Sequence, residues 1–400
     1  MWATWALCAV VAAPAFAGPR DLRLVAGGDV AYPRDGGIDR VVARYHDELF
    51  DDIKPFIQGA DLAFLNLETP LTNRDATGNK RWPLVTRPDR LQWLIDAGFN
   101  LYSLANNHTH DAGDRGVHDT LEAFEGARAA GHTIWWAGAA RDKAGAWSLT
   151  TFTPPGKSIV VAFVALGEAR TGLVPPPKDP RALDLIRRAD QQADVVIVSV
   201  HSGREYEHVP RAHRAERFRG YVDAGADLVL GHHPHVVQGV ERYKDAVIFH
   251  SLGNLSFGSR SIRHLYAGAK LYGILPIIDI QDGKVAHVEI VPLYVNNVEP
   301  WKIGKEVVET RPCVPKVVKG VFAQKVLSAL LEWTAQIPGI DPEAVGALSI
   351  NGERAVMGRP VEAVSERALG PVDCVPRRGG ASQAWWGCWQ WPGMAIHNGF

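Results

Sequence analysis

Short apolar runs alternate with helix-length segments from residue 22 to about residue 235, and each run ends in a polar or glycine-rich turn. Five runs of four to seven residues are rich in Val, Leu, Ile or Phe, a composition typical of buried strands; they cover residues 22–25, 61–67, 100–104, 194–200 and 227–230. Helices are predicted between them, over residues 39–57, 89–97, 117–130, 181–192 and 211–224. This alternation predicts a layered α/β fold.

The pattern changes after residue 240. Residues 247–249, 274–279 and 285–291 are predicted to be β segments, and residues 317–336 an amphipathic helix. Beyond Pro338 the periodicity fades, and the tail packs four tryptophans into nine residues: Trp385, Trp386, Trp389 and Trp391. We therefore divide the chain into a leader (1–17), a main domain (18–300) and a C-terminal helical, Trp- and Cys-containing extension (301–400).

Composition excludes several classes of protein. Lys and Arg number 43 and Asp and Glu 44, a net charge of −1, so no general attraction to nucleic acid is expected. Apolar residues make up 46% and charged residues 22% of the chain, the usual mix for a globular protein rather than a disordered one.

The first 19 residues carry no charged side chain, and Ala15-Phe16-Ala17 has the small-x-small form of a signal cleavage site. We predict a signal peptide over residues 1–17 and a periplasmic, extracellular or cell-surface protein with no transmembrane helix after cleavage. An uncleaved anchor is the alternative, but the segment is short and contains Pro14. Cys313, Cys374 and Cys388 would remain, and their pairing is left open.

The ends of the predicted strands carry metal-binding residue types. Because loops converge at the carboxyl edge of an open α/β sheet, these side chains are expected to meet there. Carboxylate, imidazole and amide ligands suit a hard or borderline divalent metal, one or two ions of Mn, Zn or Fe; the candidate ligands are Asp29, Glu68, Asn107, His201, His233 and His235. Glu68 suits a bridging role between two metals, and His108 could protonate a leaving oxygen.

The same residues carry a family resemblance. The order Asp, carboxylate, Asn-His, His and His-x-His is similar to the ligand order of calcineurin-like metallophosphoesterases. The surrounding strings resemble the CapA-type poly-γ-glutamate capsule synthesis family over about residues 22–260; examples are Ala26-Gly27-Gly28-Asp29-Val30, Asn66-Leu67-Glu68-Thr69-Pro70, Ser103-Leu104-Ala105-Asn106-Asn107-His108, His201-Ser202-Gly203-Arg204-Glu205-Tyr206, Gly231-His232-His233-Pro234-His235 and Ser251-Leu252-Gly253-Asn254.

The resemblance implies a four-layer α/β/β/α metallophosphatase-like sandwich. It also implies a ligand set, in which Asp29 and His235 hold one metal, Asn107, His201 and His233 hold the other, and Glu68 bridges the two. His108 matches the general acid of the phosphoesterases.

This sequence departs from the phosphoesterase pattern at two positions. Phosphoesterases read Asp-x-His at the first strand, whereas Ala31 stands at the third position here. They also carry an acidic residue directly after Asn-His, where this chain has Thr109, with Asp111 the nearest carboxylate. We therefore predict a weaker metal half at Asp29 and His235, and a His108 that depends on Asp111 for its orientation.

Five further residues near these motifs are candidates for substrate binding: Asn106, Arg204, Glu205, His232 and Asn254. His232 could also replace His233 as a ligand, although His233-Pro234-His235 gives the His-x-His spacing. His110 and His208 are better explained as surface histidines.

Three functions remain open on the sequence. The first is an exported metal-dependent phosphoesterase-like hydrolase linked to capsule or envelope polymer. The second is a non-catalytic accessory that binds or exports the polymer, with envelope-assembly proteins as partners. The third is a metal-dependent amide hydrolase acting on γ-glutamyl bonds, since activated water can attack a carbonyl as well. The ligand is accordingly an anionic polymer or a phosphate or γ-glutamyl compound.

Overall fold

A computed structural model describes residues 18–34, 37–78, 80–259, 272–295, 297, 301–303 and 306–358. The predicted signal peptide, the Trp-rich tail, Cys374 and Cys388 lie outside these residues. Within them, no helix is both long enough and apolar enough to cross a membrane.

The first sheet is mixed. Its parallel part consists of β1 (Asp21–Ala31), β2 (Leu62–Leu67), β3 (Leu101–Ser103) and β4 (Trp135–Ala137), with β11 (Asn254–Phe257) parallel to β1. Its antiparallel part consists of β12 (Tyr272–Gln281), β13 (Lys284–Val295), β16 (Pro315–Val317), β17 (Leu348–Asn351) and β18 (Arg354–Met357). A separate hairpin pairs β14 (Trp301–Ile303) with β15 (Glu306–Glu309).

The second sheet has the strand order β5-β6-β7-β8-β10-β9. These strands are β5 (Thr150–Phe152), β6 (Val161–Gly167), β7 (Val195–His201), β8 (Leu228–His232), β9 (Val240–Tyr243) and β10 (Ala246–Phe249). Strands β6, β7, β8 and β10 run parallel, so their carboxyl ends share one edge.

The two sheets pack face to face, with helices on both outer faces. Between the sheets, the rings of Phe64 in β2 and Phe163 in β6 meet edge to face at 5.9 Å. Outside the first sheet lie α1 (Ile38–Val42), α2 (Lys54–Gln58), α3 (Arg90–Ala97) and α4 (Gly113–Ala129); outside the second lie α5 (Arg181–Asp190) and α6 (Ala212–Asp223). The four-layer α/β/β/α arrangement is confirmed.

The segment after residue 310 contributes to the same architecture. Strands β16, β17 and β18 extend the first sheet, and α7 (Gly320–Ala335) packs leucines against the core between the sheets. A short helix, α8 (Pro342–Gly346), follows it. Cys313 is buried at 1% exposure. The division at residue 300 stays a prediction.

Two helix predictions need correction. Residues 39–57 form α1, a 3-10 turn (His46–Glu48) and α2 rather than one helix, because Tyr45 leaves the helical conformation and Pro55 starts a new helix. The helix predicted from residue 317 begins at Gly320, whose φ is +58°, because Val317 pairs with Leu293 of β13 instead.

Candidate metal centre

The candidate ligands come from both sheets and meet where the strand ends face one another. Asp29 lies near the end of β1, Glu68 directly after β2 and Asn107 in the loop after β3. His201 is the last residue of β7, and His233 and His235 follow β8. The strand ends of two sheets, rather than the edge of a single sheet, therefore bring these residues together.

Two glycines permit this close approach. A Cβ at Gly28 would stand 2.0 Å from the carbonyl oxygen of Gly253, beside β11. A Cβ at Gly167, the last residue of β6, would stand 2.4–2.6 Å from backbone atoms of Ala105 and Asn106. Gly167 thus lets the Asn106–His108 loop of the first sheet reach the second sheet.

We expect Gly167→Ala to destabilise the fold by about 1–3 kcal/mol, because backbone atoms would have to move to accommodate the methyl group. Gly126→Ala is the matched control. Gly126 lies inside α4, where a Cβ meets nothing within 4 Å, and alanine there should stabilise by roughly 0.5–1 kcal/mol. Urea unfolding of both variants checks the prediction. If Gly167→Ala were as stable as the wild-type chain, the close approach of Gly167 to Ala105 and Asn106 would be contradicted.

One group of possible metal ligands combines Glu68, His201 and His233, whose ligand atoms lie within 4.8 Å of one another. His201 Nε2 lies 3.4 Å from Glu68 Oε1, 3.0 Å from His233 Nδ1 and 2.8 Å from Asn107 Oδ1. The backbone of His233 has a φ of 93°, which is uncommon for a residue other than glycine. In this conformation its ring lies against His201. The side-chain oxygen of Asn107 therefore lies beside this group.

The imidazoles of this group are uncharged. Burial and the neighbouring His233 lower the pKa of His201 well below its usual value. Burial and the charge of His235 lower the pKa of His233 to about 3. Neutral imidazole is the form that binds a metal.

A second group combines Asp29, Glu68 and His235. His235 Nδ1 lies 3.3 Å from Asp29 Oδ2, and its Nε2 lies 3.8 Å from Glu68 Oε1. Although burial opposes it, the charges of Glu68 and Asp29 raise the pKa of His235 to about 10. Glu68 belongs to both groups, which places it between them.

The side chains of Asn66, His232 and His235 contact the carboxylate of Asp29. Its Oδ1 accepts a hydrogen bond from Asn66 Nδ2 at 2.8 Å and contacts His232 Nδ1 at 3.1 Å. Burial works against ionisation, but the contacts with His232 and His235 keep the pKa of Asp29 well below its usual value. Asp29 is therefore an anion at neutral pH.

Glu68 has no such support. It is fully buried, and neither carboxylate oxygen has a hydrogen-bond partner among the described residues. Burial raises its pKa well above the usual value. A buried carboxyl group without hydrogen-bond partners costs free energy that a bound cation would offset. Together with the converging imidazoles, this fits a divalent metal with nitrogen and oxygen ligands.

His108 lies beside the two groups. Its Nδ1 is 2.6 Å from Asp111 Oδ2, and its Nε2 is 3.8 Å from Glu68 Oε1. Burial lowers the pKa of His108 to about 4, so the ring is neutral at pH 7. Asp111, three residues further along the chain, contacts His108 and sets the orientation of its ring. Thr109, the residue directly after His108, has no carboxylate for this role.

The other candidates take different positions. Asn106 is fully buried and accepts a hydrogen bond from the His108 amide, and Asn254 contacts His235 Nδ1 at 2.9 Å. His232 is also fully buried and packs against Phe64, so it supports Asp29 rather than lining a cleft. The side chain of Arg204 is 64% exposed and pairs with Glu207. The half-buried Glu205 is close enough for its charge to help raise the pKa of Glu68.

Sequence reasoning missed two residues of this site. Asn66 links Asp29 to His201 Nδ1, which lies 3.1 Å from its side-chain nitrogen. Lys80 Nζ donates to Asp111 Oδ1 and to the Asn107 carbonyl, both at 2.8 Å. Asn66 lies in β2 two residues before Glu68, which directly follows the strand, and this spacing is a readable signal. Lys80 lies in an irregular loop without one.

Comparison with known proteins identifies the family. Residues 23–259 match the family model described as "Bacterial capsule synthesis protein PGA_cap". The capsule biosynthesis protein CapA of Bacillus anthracis is 28% identical over 295 residues, which cover 68% of this chain and 67% of that protein. The PGA biosynthesis protein CapA of Bacillus subtilis is 27% identical over 288 residues, 70% of this chain and 74% of that protein.

A more distant relative is a probable polyglutamine synthesis accessory protein of Mycobacterium tuberculosis. It is 27% identical over 265 residues, 59% of this chain and 66% of that protein. The family match covers more than half of the chain and includes every candidate metal ligand. The chain belongs to the bacterial capsule synthesis protein family of the CapA type.

Proposed function

We propose that this chain is a metal-dependent hydrolase of the phosphoesterase type that acts in capsule or cell-envelope polymer synthesis. The main observation in support of this function is the environment of Glu68. Its buried carboxylate accepts no hydrogen bond from the described residues and is shared by two groups of possible metal ligands. Such a carboxylate suits a metal bridge better than a structural role, because structural carboxylates in protein interiors are hydrogen-bonded.

A divalent metal at these ligands would supply Lewis acidity, which lowers the pKa of water and polarises a phosphoryl or carbonyl oxygen. The residues of the first group would hold it most firmly, since Ala31 leaves the group around Asp29 without the extra imidazole. Mn, Zn and Fe all suit the ligand types.

His108 is proposed to donate a proton at Nε2 to the leaving oxygen. Asp111 fixes the ring through Nδ1, so that Nε2 faces the cluster. The ring is neutral in the free protein, but an anionic substrate next to Nε2 favours the charged imidazolium. Substrate binding would therefore supply the acid form.

Metal analysis of the purified mature chain, with hydrolysis of bis(p-nitrophenyl) phosphate and of a γ-glutamyl anilide, tests this function. We expect one tight and one loose ion per chain, or a single ion, together with hydrolysis of the phosphodiester that a chelator abolishes. A chain that binds no divalent metal would refute the proposal. Cleavage of the anilide alone would favour the γ-glutamyl amide hydrolase.

The second candidate function is a non-catalytic accessory that binds the polymer or an envelope-assembly partner. Ala31 favours it, because the metal half at Asp29 keeps the imidazole of His235 but lacks the one that phosphoesterases have at position 31. The name of the Mycobacterium tuberculosis relative points the same way. Tight metal binding without hydrolysis of either substrate would favour this function.

Export is also part of the proposal. The uncharged leader and Ala15-Phe16-Ala17 predict a mature chain that begins near Gly18 outside the cytoplasm. N-terminal sequencing of the protein from its native host checks this. An intact Met1 on a cytosolic protein would contradict it.

A further inference from the structure

A cavity of about 200 Å³ lies next to the loop that follows β7, the strand that ends in His201. Gly203, two residues after His201, forms part of its wall, together with Gln238 and the first turns of α6. The amide of Glu168, also in the wall, donates to the carbonyl oxygen of His201 at 3.3 Å. The cavity is therefore connected to the metal centre through the backbone but contains none of its ligands.

The cavity carries surplus positive charge. Five cationic side chains line it against two carboxylates; the cations are Lys178, Arg204, Arg211, Arg214 and Arg217. Glu168 pairs with Lys178 at 3.0 Å, and Glu207 pairs with Arg204 and Arg211 at 3.3 Å each. Within the described residues, Arg214 and Arg217 have no carboxylate partner.

Arg214 is the unusual member of this set. It is only 2% exposed, and its terminal nitrogens donate to neutral oxygens, those of Gln238 at 2.8 Å and the His250 carbonyl at 2.7 Å. Its Nε has no partner among the described residues and faces Gly203, where a Cβ would stand 3.0 Å away. Burial lowers its pKa to about 9. A buried cation without a counter-charge is costly unless an anion binds near it.

The start of α6 adds to this field. The helix runs over Ala212–Asp223, and no side chain caps its first amides. Arg211, which directly precedes the helix, and His213 of its first turn line the cavity. Free amides and the positive end of the helix dipole favour a bound anion.

We propose that this cavity is an anion-binding site, distinct from the metal centre, that takes one carboxylate or phosphate group. Arg214 supplies the buried charge beneath the anion, and Arg217 with the first turn of α6 surrounds it. Either group presents oxygens that accept from guanidinium and amide donors, so the site chemistry is the same for both.

Calorimetric titration of the mature chain after removal of metal by EDTA tests the site, with inorganic phosphate and glutarate as separate probes. The wild-type chain should bind at least one probe, and added salt should weaken binding. Arg214→Met should weaken it by about 10- to 100-fold, the range for a lost hydrogen bond to a charged group. Arg217→Gln should weaken it by about 2- to 5-fold, since that side chain is only half-buried.

Arg44→Gln is the matched control. It removes the same charge from an exposed residue just after α1. The affinity of this variant for phosphate and glutarate should stay within about twofold of the wild-type affinity. If Arg214→Met does not fold, Arg217→Gln decides. No binding of either probe to the wild-type chain, or equal binding by Arg217→Gln and Arg44→Gln, overturns the proposal. Because the protein is metal-free in this assay, neither outcome depends on whether the chain hydrolyses esters.

Discussion

Alanine at both His201 and His233 should remove the tightly bound metal. These imidazoles provide two of the three ligand atoms of the first group, and both rings are held neutral. Loss of a residue that only orients a ligand already costs about 10–100-fold in metal affinity. Loss of two ligands should therefore weaken binding by more than about 10³-fold and abolish metal-dependent hydrolysis.

The measurement is metal content after dialysis, followed by titration with Mn²⁺ and Zn²⁺. His110→Ala is the matched control, since His110 is only two residues from His108 but pairs with Asp114 at 2.8 Å. It should keep the wild-type metal content. His201 is fully buried, so His233→Ala alone provides a milder variant if the double variant does not fold. Tight binding that survives the double substitution would show that the metal lies elsewhere.

The same pair of ligands illustrates how far sequence reasoning reaches. Their types and their positions after apolar runs predict that they meet, because parallel strands place their ends at one edge. The strand limits are less well predicted. The β1 strand extends to Ala31, well beyond residue 25, since a register shift around Gly27 and Gly28 carries it past the glycines.

Strand β6, an inner strand of the second sheet, is absent from the sequence prediction. Residues 159–166 form an unbroken apolar run, the usual mark of a strand buried on both faces. The last residue of this strand, Gly167, carries no ionisable group. A search for strands that end in candidate ligands therefore does not find β6. The spacing of Asn66 from Glu68 places it near the site, but its role depends on contacts with Asp29 and His201 that form only when the two sheets pack together.

Lys80 could not have been placed from sequence. Its loop has no periodicity, and its contacts with Asp111 and Asn107 depend on where that loop folds back over the strand ends. The Asp111 contact with His108 was, in contrast, foreseeable from a spacing of three residues in a turn. Local geometry is readable from the sequence, whereas loop placement is set by tertiary packing.

If the chain is a catalyst, His108→Ala should lower turnover by about 10²–10⁴-fold, the usual cost of a lost general acid, and leave the metal content intact. His108 contacts the cluster only through Nε2, at 3.8 Å from Glu68, and belongs to neither group of possible metal ligands. Asp111→Asn should give a smaller loss, because the ring remains while its partner loses charge.

Asn107→Ala is the matched comparison, since Asn107 is the adjacent residue but contacts His201 Nε2 through its side-chain oxygen. It should weaken the metal, and added metal should restore part of the lost activity. Added metal should not restore His108→Ala, because its defect lies in proton transfer. Metal counted in each variant beside its turnover separates the two roles. If His108→Ala loses its metal, His108 is a ligand. The proton donor must then be sought among the other groups beside the metal centre. Lys80 is the cation that contacts Asp111 there.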